Sequence, residues 1–179
     1  IQSCLDEFTR VVFSTRDHQN DFEYQNRVTI YRVQCGCAAM LKPPWQKWFV
    51  PIARSGTLTK RTRSIFRFSD HPDEIEGVVG RAWCNNLRWL ELNDVPIPRL
   101  TMSENEKQDY FNLVRVPVDK AVKMKHNARA YSAIGIELRG KRWGVLILDS
   151  TKTEIPTNSK NKQAFRVFMS AISPILESI

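Results

Sequence analysis

The sequence has few cysteines, no long apolar run and no familiar nucleotide-binding motif, and each absence excludes a class of protein. Its four cysteines, spaced irregularly along 179 residues, are too few for the disulfide framework of a small secreted domain. No run of about 18 apolar residues could cross a membrane, and no signal peptide is visible. The sequence motifs of P-loop nucleotide-binding proteins and of dinucleotide-binding proteins are also missing, so the sequence predicts neither of these functions.

The remaining composition predicts a single globular domain. Hydrophobic residues make up 42% of the chain and aromatic residues 10%, which are typical values for a packed core. A length of 179 residues suits one domain and is cramped for two, so we expect residues 1–179 to form one domain. Because the chain opens on Ile1 within a helical pattern, we expect a fragment of a longer protein. A cytoplasmic location is predicted, or the soluble part of a membrane-anchored protein.

Positive charge is concentrated toward the C-terminal end. The chain has 27 Lys and Arg against 19 Asp and Glu, for a net charge of +8. Residues 121–179 alone hold 10 basic and 4 acidic groups. Such a field favours an anionic small ligand, a nucleic acid or an anionic membrane surface. The same pattern is also typical of a basic face that binds nothing.

Hydrophobic periodicity and turn residues predict alternating helices and strands. The predicted elements are a helix at 1–15, strands at 27–34, 48–54 and 62–68, helices at 74–84 and from Ser103, and a strand at 87–92; strands at 131–138 and 142–149 and a helix at 163–179 follow. Pro51 predicts an edge or a bulge in its strand, and Gly140 predicts a hairpin turn with positive φ. Residues 118–130 are interpreted as a long connection.

Two segments carry a resemblance to a known family. Residues 131–150 read Y-S-A-I-G-I-E-L-R-G-K-R-W-G-V-L-I-L-D-S, and residues 76–83 read E-G-V-V-G-R-A-W. Together with the amphipathic helix after them, they resemble a GAF domain. The resemblance implies an α/β fold with an antiparallel sheet of five to six strands flanked by helices. It further implies that the N- and C-terminal helices pack together on one face, and that the domain is a regulatory module sensing a small molecule.

The GAF resemblance implies a concave ligand site between the sheet and its covering helices. Aromatic side chains suit stacking on a planar ligand, and arginines suit forked hydrogen bonds to its phosphate or carboxylate. We expect no other cofactor than such a nucleotide-type or other small anionic ligand. The predicted ligand-binding residues are Phe66, Arg67, Phe68, Arg81, Trp83, Tyr110, Tyr131 and Ser132.

Several specialised family activities are not predicted. The Asn-Lys…Phe…Asp-Glu signature of cyclic-nucleotide-binding members is incomplete, since no Asp-Glu pair follows Asn161 and Lys162. No Cys-His pair suits chromophore attachment. Val79 stands where free methionine sulfoxide reductases are expected to have a cysteine. We therefore expect no catalytic residues.

The cysteines offer a second chemistry, which the spacing favours only weakly. Cys35 and Cys37 point to the same side of an extended strand, and Cys84 or His71 could join them in a metal or redox cluster. A C-x-C spacing is a poor match to structural zinc sites. We expect small buried thiols and no metal.

A homodimer is predicted through the last helix, because its apolar stripe is larger than one sheet face requires. An upstream membrane or effector segment is a further expected partner. The alternatives are a degenerate domain that serves dimerisation or protein contact without a ligand, and a basic surface that binds phosphates or nucleic acid. Nucleic acid is the less expected partner, because no helix-turn-helix or zinc-finger pattern occurs. The dimer stripe consists of Phe165, Phe168, Met169, Ile172 and Ile175.

Overall fold

The residues that the structure describes form a six-stranded antiparallel sheet with helices on both faces. The computed structural model describes residues 1–13, 26–37, 44–55, 64–124, 128–155 and 159–178. The elements within them are α1 (Gln2–Phe13), β1 (Asn26–Cys35), β2 (Lys47–Arg54), β3 (Phe66–Arg67), α2 (Gly77–Cys84), β4 (Leu90–Leu92), α3 (Glu104–Val114), α4 (Val118–Lys123), β5 (Ala130–Leu138), β6 (Lys141–Ser150) and α5 (Ser159–Glu177). The predicted α/β fold is confirmed.

The sheet has the strand order β3-β2-β1-β6-β5-β4, so the first and last strands of the chain pair at its centre. The β5–β6 hairpin turns through Arg139 and Gly140, whose φ angles of 51° and 73° are those of a two-residue primed turn. Gly144 lies where β6 approaches β1 most closely, because a Cβ there would overlap the carbonyl oxygen of Tyr31. A glycine is therefore required at this position.

Successive side chains of the strands point to opposite faces of the sheet, and each face has its own hydrophobic core. One face of the sheet packs against α1 and α5, where the rings of Phe8 and Phe168 stack with centroids 4.6 Å apart. The predicted contact between the N- and C-terminal helices is thus confirmed. The other face packs against α2, α3 and α4, and its core contains Tyr31, Phe49 and Tyr131. We call the first the terminal-helix face and the second the cavity face.

The predicted irregularity at Pro51 is present as a bulge. The register between β1 and β2 pairs Ile30 with Ala53 but Tyr31 with Pro51, so Ile52 is the extra residue. Proline lacks the N–H that a regular ladder needs, and a bulge removes that need.

The segment 118–130, predicted to be a long connection, contains a helix instead. Pro117 precedes α4, and Val118 and Ala121 are its buried positions. Proline is well tolerated at a helix start because the first N–H groups have no partner inside the helix. Six residues with two buried positions are too short to give a clear helical period.

Three further predicted elements are shorter than expected. Asn86 and Leu87 have positive φ angles of 48° and 61°, so β4 begins only at Leu90 rather than at 87. Helix α2 begins at Gly77 rather than at 74, because Glu76 is extended with φ −102° and ψ 145°. Of the predicted strand 62–68, only Phe66–Arg67 pairs with a neighbour, and residues 62 and 63 lie outside the described residues.

None of the helices in the described part of the chain combines the length and the hydropathy that spanning a bilayer requires.

Candidate functional site

A cavity of about 70 Å³ opens on the cavity face, where β1 begins and β6 ends. We call it the strand-end cavity. Its wall combines apolar side chains from α2 and from the end of α3 with polar side chains from the strands. The lining residues are Arg27, Tyr31, Arg54, Ser64, Phe66, Val78, Val79, Val114, Val116, Met124, Tyr131, Ile147 and Asp149.

The register of the three central strands assembles the polar part of this wall. Arg27 of β1 pairs with Asp149 of β6, and Asp149 pairs with Tyr131 of β5. Side chains of directly paired residues lie on the same face of a sheet. Residues an even number of positions apart in a strand also share a face, so Tyr31, four positions after Arg27 in β1, joins the group.

Arg27 and Asp149 of this polar wall form an ion pair. Arg27 donates from Nε and Nη2 to Asp149 Oδ1 at 2.7 Å and 2.5 Å. The Asp149 side chain is 9% exposed and that of Arg27 is 36% exposed. The Asp149 carboxylate raises the pKa of Arg27, against the opposite effect of burial. The guanidinium is therefore held charged beside the cavity.

A second guanidinium reaches the cavity from β2. Arg54 donates from Nε to Thr29 Oγ1 at 2.9 Å. Burial raises the pKa of Tyr31 to about 12, although Arg54 acts in the opposite direction. The phenol is consequently protonated at neutral pH and can donate a hydrogen bond.

Two more tyrosines are buried on the same face. Burial raises the pKa of Tyr131 well above its ordinary value, and Asp149 and Tyr110 add to that effect. Burial also raises the pKa of Tyr110 to about 12. The Tyr110 hydroxyl has no hydrogen-bond partner among the described residues, and such a group costs about 1–3 kcal/mol.

Only two of the eight predicted site residues line this cavity, namely Phe66 and Tyr131. Arg67 points away from it, because neighbouring residues of a strand face opposite sides, and its side chain is 52% exposed and lies 3.7 Å from Glu74. Arg67 and Phe68 instead border a shallow surface depression that we call the edge groove. The edge groove is lined by Trp45, Gln46, Lys47, Arg67, Phe68, Ser69, Asp70 and His71.

Arg81 serves a contact between two helices. It donates from Nη1 to the carbonyl oxygens of Asn112 and Leu113 at the C-terminal end of α3, where the helix dipole favours a cation. Burial lowers the pKa of Arg81, and nearby Arg115 adds to the effect. The structure thus places Arg81 outside the cavity.

The predicted aromatic residues mostly contact one another. Trp83 meets Phe49 and Phe68 edge to face, with ring centroids 5.8 Å and 5.5 Å apart. Arg142 lies over the Trp83 ring at 5.9 Å and donates to the Trp83 carbonyl oxygen at 3.0 Å. Trp83 and Phe68 therefore build the core beside the cavity and do not line it.

Ser132 lies on the terminal-helix face. It follows Tyr131 directly, so it points to the opposite side of β5. Its neighbours in a small crevice include Phe8, Val12 and Leu148. The prediction that Tyr131 and Ser132 share one site is therefore wrong, because consecutive residues of a strand face opposite sides.

The cysteines also differ from the expectation. Cys35 and Cys37 are exposed, while Cys4 and Cys84 are half-buried. Across the described ranges, no cluster of three or more His, Cys, Asp and Glu side chains could hold a metal ion.

Four residues of the cavity wall were not predicted from the sequence, namely Arg27, Tyr31, Arg54 and Asp149. The acid that ends the strand 142–149 was a visible signal, because a charged residue directly after a buried run often lies at a strand end. The two arginines gave no local signal of this kind, since only the pairing of β1 with β6 and β2 places them.

Comparison with known proteins gives the fold its name. The sequence matches no family model, and no curated protein matches it significantly in sequence. A GAF domain of an Acinetobacter phosphoenolpyruvate-protein phosphotransferase is similar in structure, with a TM-score of 0.55 at 10% identity over 98% of this chain and 92% of that chain. The chain has a GAF-like fold. The predicted resemblance is confirmed at this level.

Two other solved structures are similar to this GAF-like domain. A Staphylococcus aureus NreA protein mutated in its nitrate binding site gives a TM-score of 0.53 at 16% identity, covering 93% of this chain and 94% of that chain. A type II free methionine-R-sulfoxide reductase of Thermoplasma acidophilum gives 0.50 at 13% identity, covering 98% and 96%. At these identities the likeness concerns the fold alone.

Proposed function

We propose that this GAF-like domain is a regulatory module that senses a small anion in the strand-end cavity, without a reaction of its own. The observation that carries the proposal is the polar wall. Two guanidinium groups, Arg27 and Arg54, face one carboxylate, Asp149, beside the buried phenols of Tyr31 and Tyr131. The formal charge of this group is +1, and forked guanidinium donors recognise planar oxyanions.

The volume favours a ligand of few atoms. A site for a drug-sized molecule has about 300–1,000 Å³, whereas the strand-end cavity has about 70 Å³ in the described part of the chain. A monovalent oxyanion or a short carboxylate matches this volume and the charge of +1. A nucleotide-type ligand, which the sequence analysis also considered, does not.

The likeness to NreA supports the choice of ligand class. That protein is described as having a nitrate binding site, and nitrate is a planar monovalent oxyanion. The shared fold makes nitrate a sensible first member of a test panel. The assignment itself depends on the residues of this chain.

Thermal denaturation in a panel of nitrate, nitrite, formate, acetate, phosphate and sulfate tests the proposal. A ligand at 100 times its Kd stabilises the folded state by about 2.7 kcal/mol, which raises the Tm of a domain this size by roughly 5–10 °C. Arg54→Ala should weaken binding about tenfold to a hundredfold, the value of one charge-assisted hydrogen bond.

Arg67→Ala is the matched control, because Arg67 borders the edge groove and not the strand-end cavity. It should leave the affinity unchanged. If Arg67→Ala weakens binding while Arg54→Ala does not, the ligand binds in the edge groove and the proposal fails. If no member of the panel raises the Tm, the sensing function itself fails.

The strands offer a path from the cavity to the terminal helices. Tyr131 and Asp149 face the cavity, while their chain neighbours Ser132 and Leu148 contact the crevice beside α1. A small shift of β5 or β6 on ligand binding therefore changes the packing of the terminal helices. We propose that the signal leaves the domain in this way, as a change in the population of two helix arrangements.

The dimer remains a prediction, and the structure changes the residues that should be tested. Phe168 and Ile172 are buried within one chain, at 5% and 0% exposure, so they belong to the core of the monomer. Phe165 and Met169 are half-buried, and Ile175 is 39% exposed. We propose that dimerisation uses the outward side of α5, where Val167 is 66% exposed.

Sedimentation of Val167→Glu against wild type tests the dimer. The variant should be a folded monomer, because the new charge lies in the interface and replaces no core side chain. Lys162→Gln changes the net charge by the same amount at an exposed position of α5 and is the control, because residues five positions apart lie on different sides of a helix. A wild-type protein that sediments as a monomer at high concentration would contradict the proposal.

One observation favours the alternative of a domain for protein contact without a ligand. Phe49, Phe68 and Trp83 pack against one another beside the cavity, each ring meeting the next edge to face. Under this alternative the protein sediments as a dimer, and no anion of the panel raises its Tm. The two experiments above therefore separate the candidates.

A further inference from the structure

Two thiols lie side by side at the C-terminal end of β1, far from the strand-end cavity. Cys35 Sγ and Cys37 Sγ are 3.3 Å apart, and both residues are exposed. Cys35 lies eight positions after Arg27 along β1, which corresponds to about 26 Å. The pair is therefore independent of the proposed anion site.

The backbone holds this pair in place. The N–H of Gly36, between the two cysteines, donates to the carbonyl oxygen of Gln46 at 2.7 Å, and Cys35 pairs with Lys47 of β2. A disulfide needs its sulfurs about 2.05 Å apart, so the two atoms must approach by roughly 1.3 Å. Side-chain rotation supplies a movement of this size.

The surroundings suit thiol exchange better than metal binding. A structural zinc site needs four ligands, and within the described ranges no third or fourth ligand joins the two thiols. Exposure gives a small disulfide access to either sulfur. Cys84 is less accessible, since it is half-buried, and burial raises its pKa.

We propose that Cys35 and Cys37 form a reversible dithiol–disulfide pair that exchanges with small-molecule disulfides such as glutathione disulfide. One protein thiolate attacks a sulfur of the small disulfide, which breaks its S–S bond and releases one small thiol. The second thiolate attacks the protein sulfur of this mixed disulfide. The Cys35–Cys37 bond forms, and the second small thiol leaves.

The exchange is balanced and readily reversed. The protein loses two protons and two electrons, and the small disulfide gains them as it becomes two thiols. The ring that closes contains a single intervening residue, so chain entropy contributes little to the stability of the bond. Bonds of this kind are the easily reduced ones that serve regulation.

A single tryptic fragment makes the test direct. Cleavage after Arg32 and Lys47 releases residues 33–47, which contain both cysteines of the pair and neither Cys4 nor Cys84. The reduced protein is incubated with glutathione disulfide, quenched with acid, alkylated and digested. Mass spectrometry should then find a fragment that is two hydrogens lighter than the dithiol and carries no alkyl group.

Cys35→Ser and Cys37→Ser are matched variants, each of which should stop at the glutathione adduct. The wild-type adduct should disappear at least about ten times faster than theirs, because the second thiol attacks within the same molecule. Circular dichroism checks that both variants are folded, which is expected for exposed positions. A wild-type adduct as persistent as theirs overturns the proposal, as does a fragment that stays fully alkylated or a disulfide that links two chains.

Discussion

The ion pair between Arg27 and Asp149 should stabilise the folded state measurably, and a double-mutant cycle can isolate its contribution. An exposed pair is worth about 0–1 kcal/mol, and a hydrogen bond between charged groups about 1.5–3 kcal/mol. Asp149 is 9% exposed but Arg27 is 36% exposed, so solvent screening reduces the upper value. We expect a coupling free energy of about 1–2 kcal/mol, from the two donors that share Asp149 Oδ1 at 2.7 Å and 2.5 Å.

The two single variants should differ in a defined order. Arg27→Gln leaves a largely buried carboxylate without its ion-pair partner, whereas Asp149→Asn leaves a guanidinium that can turn toward water. Arg27→Gln should therefore cost more, because an uncompensated charge is penalised in proportion to its burial. At 2–4 °C per kcal/mol for a domain of this size, a loss equal to the coupling alone lowers the Tm by roughly 2–8 °C.

Urea unfolding followed by tryptophan fluorescence at pH 7 gives the four free energies of the cycle. The double variant should be more stable than the sum of the two single losses predicts. A coupling below about 0.3 kcal/mol, or Asp149→Asn costing more than Arg27→Gln, would refute the reasoning about burial.

Two further predictions concern the same sheet. Burial raises the pKa of Tyr31 and of Tyr110 to about 12, whereas a tyrosine in the unfolded chain ionises near pH 10. The stability that these two tyrosines contribute is therefore fully present below pH 10 and is lost as the pH rises toward 12. Absorbance at 295 nm should show fewer ionised tyrosines in the native than in the urea-unfolded protein at pH 11; equal fractions would contradict the burial. Gly144→Ala forces a methyl group against the Tyr31 carbonyl oxygen and should cost about 3 kcal/mol or more in urea unfolding. Its control, Gly135→Ala, meets the end of the Leu87 side chain at 2.9 Å and should cost less, because a side chain can move aside.

The elements with a local signal were predictable from the sequence. Gly140 marks the hairpin turn through its positive φ. Ser103 and Glu106 mark the start of α3 through a reciprocal capping box that the structure contains. Each signal needs only residues that are a few positions apart, so it does not depend on how distant strands pair.

The site depends on pairing over long distances and was mostly missed. Alternation along β3 shows that Phe66 and Arg67 face opposite sides, but it does not show which side holds a cavity. The side that holds a cavity is determined by the helices that cover each face of the sheet. Arg54 enters the site only because the β2 bulge at Pro51 shifts its register against β1.

The central position of β1 has a consequence for how the protein folds during synthesis. Its partner in β6 arrives late, since Arg27 and Asp149 are 122 residues apart, and ribosomes add about 5–20 residues per second. Strand β1 therefore waits roughly 6–24 s for β6, and the edge that pairs with β6 stays open during that time. Unpaired edges recruit other chains, so nascent chains that stop before β6 are the species most prone to aggregate or to require a chaperone.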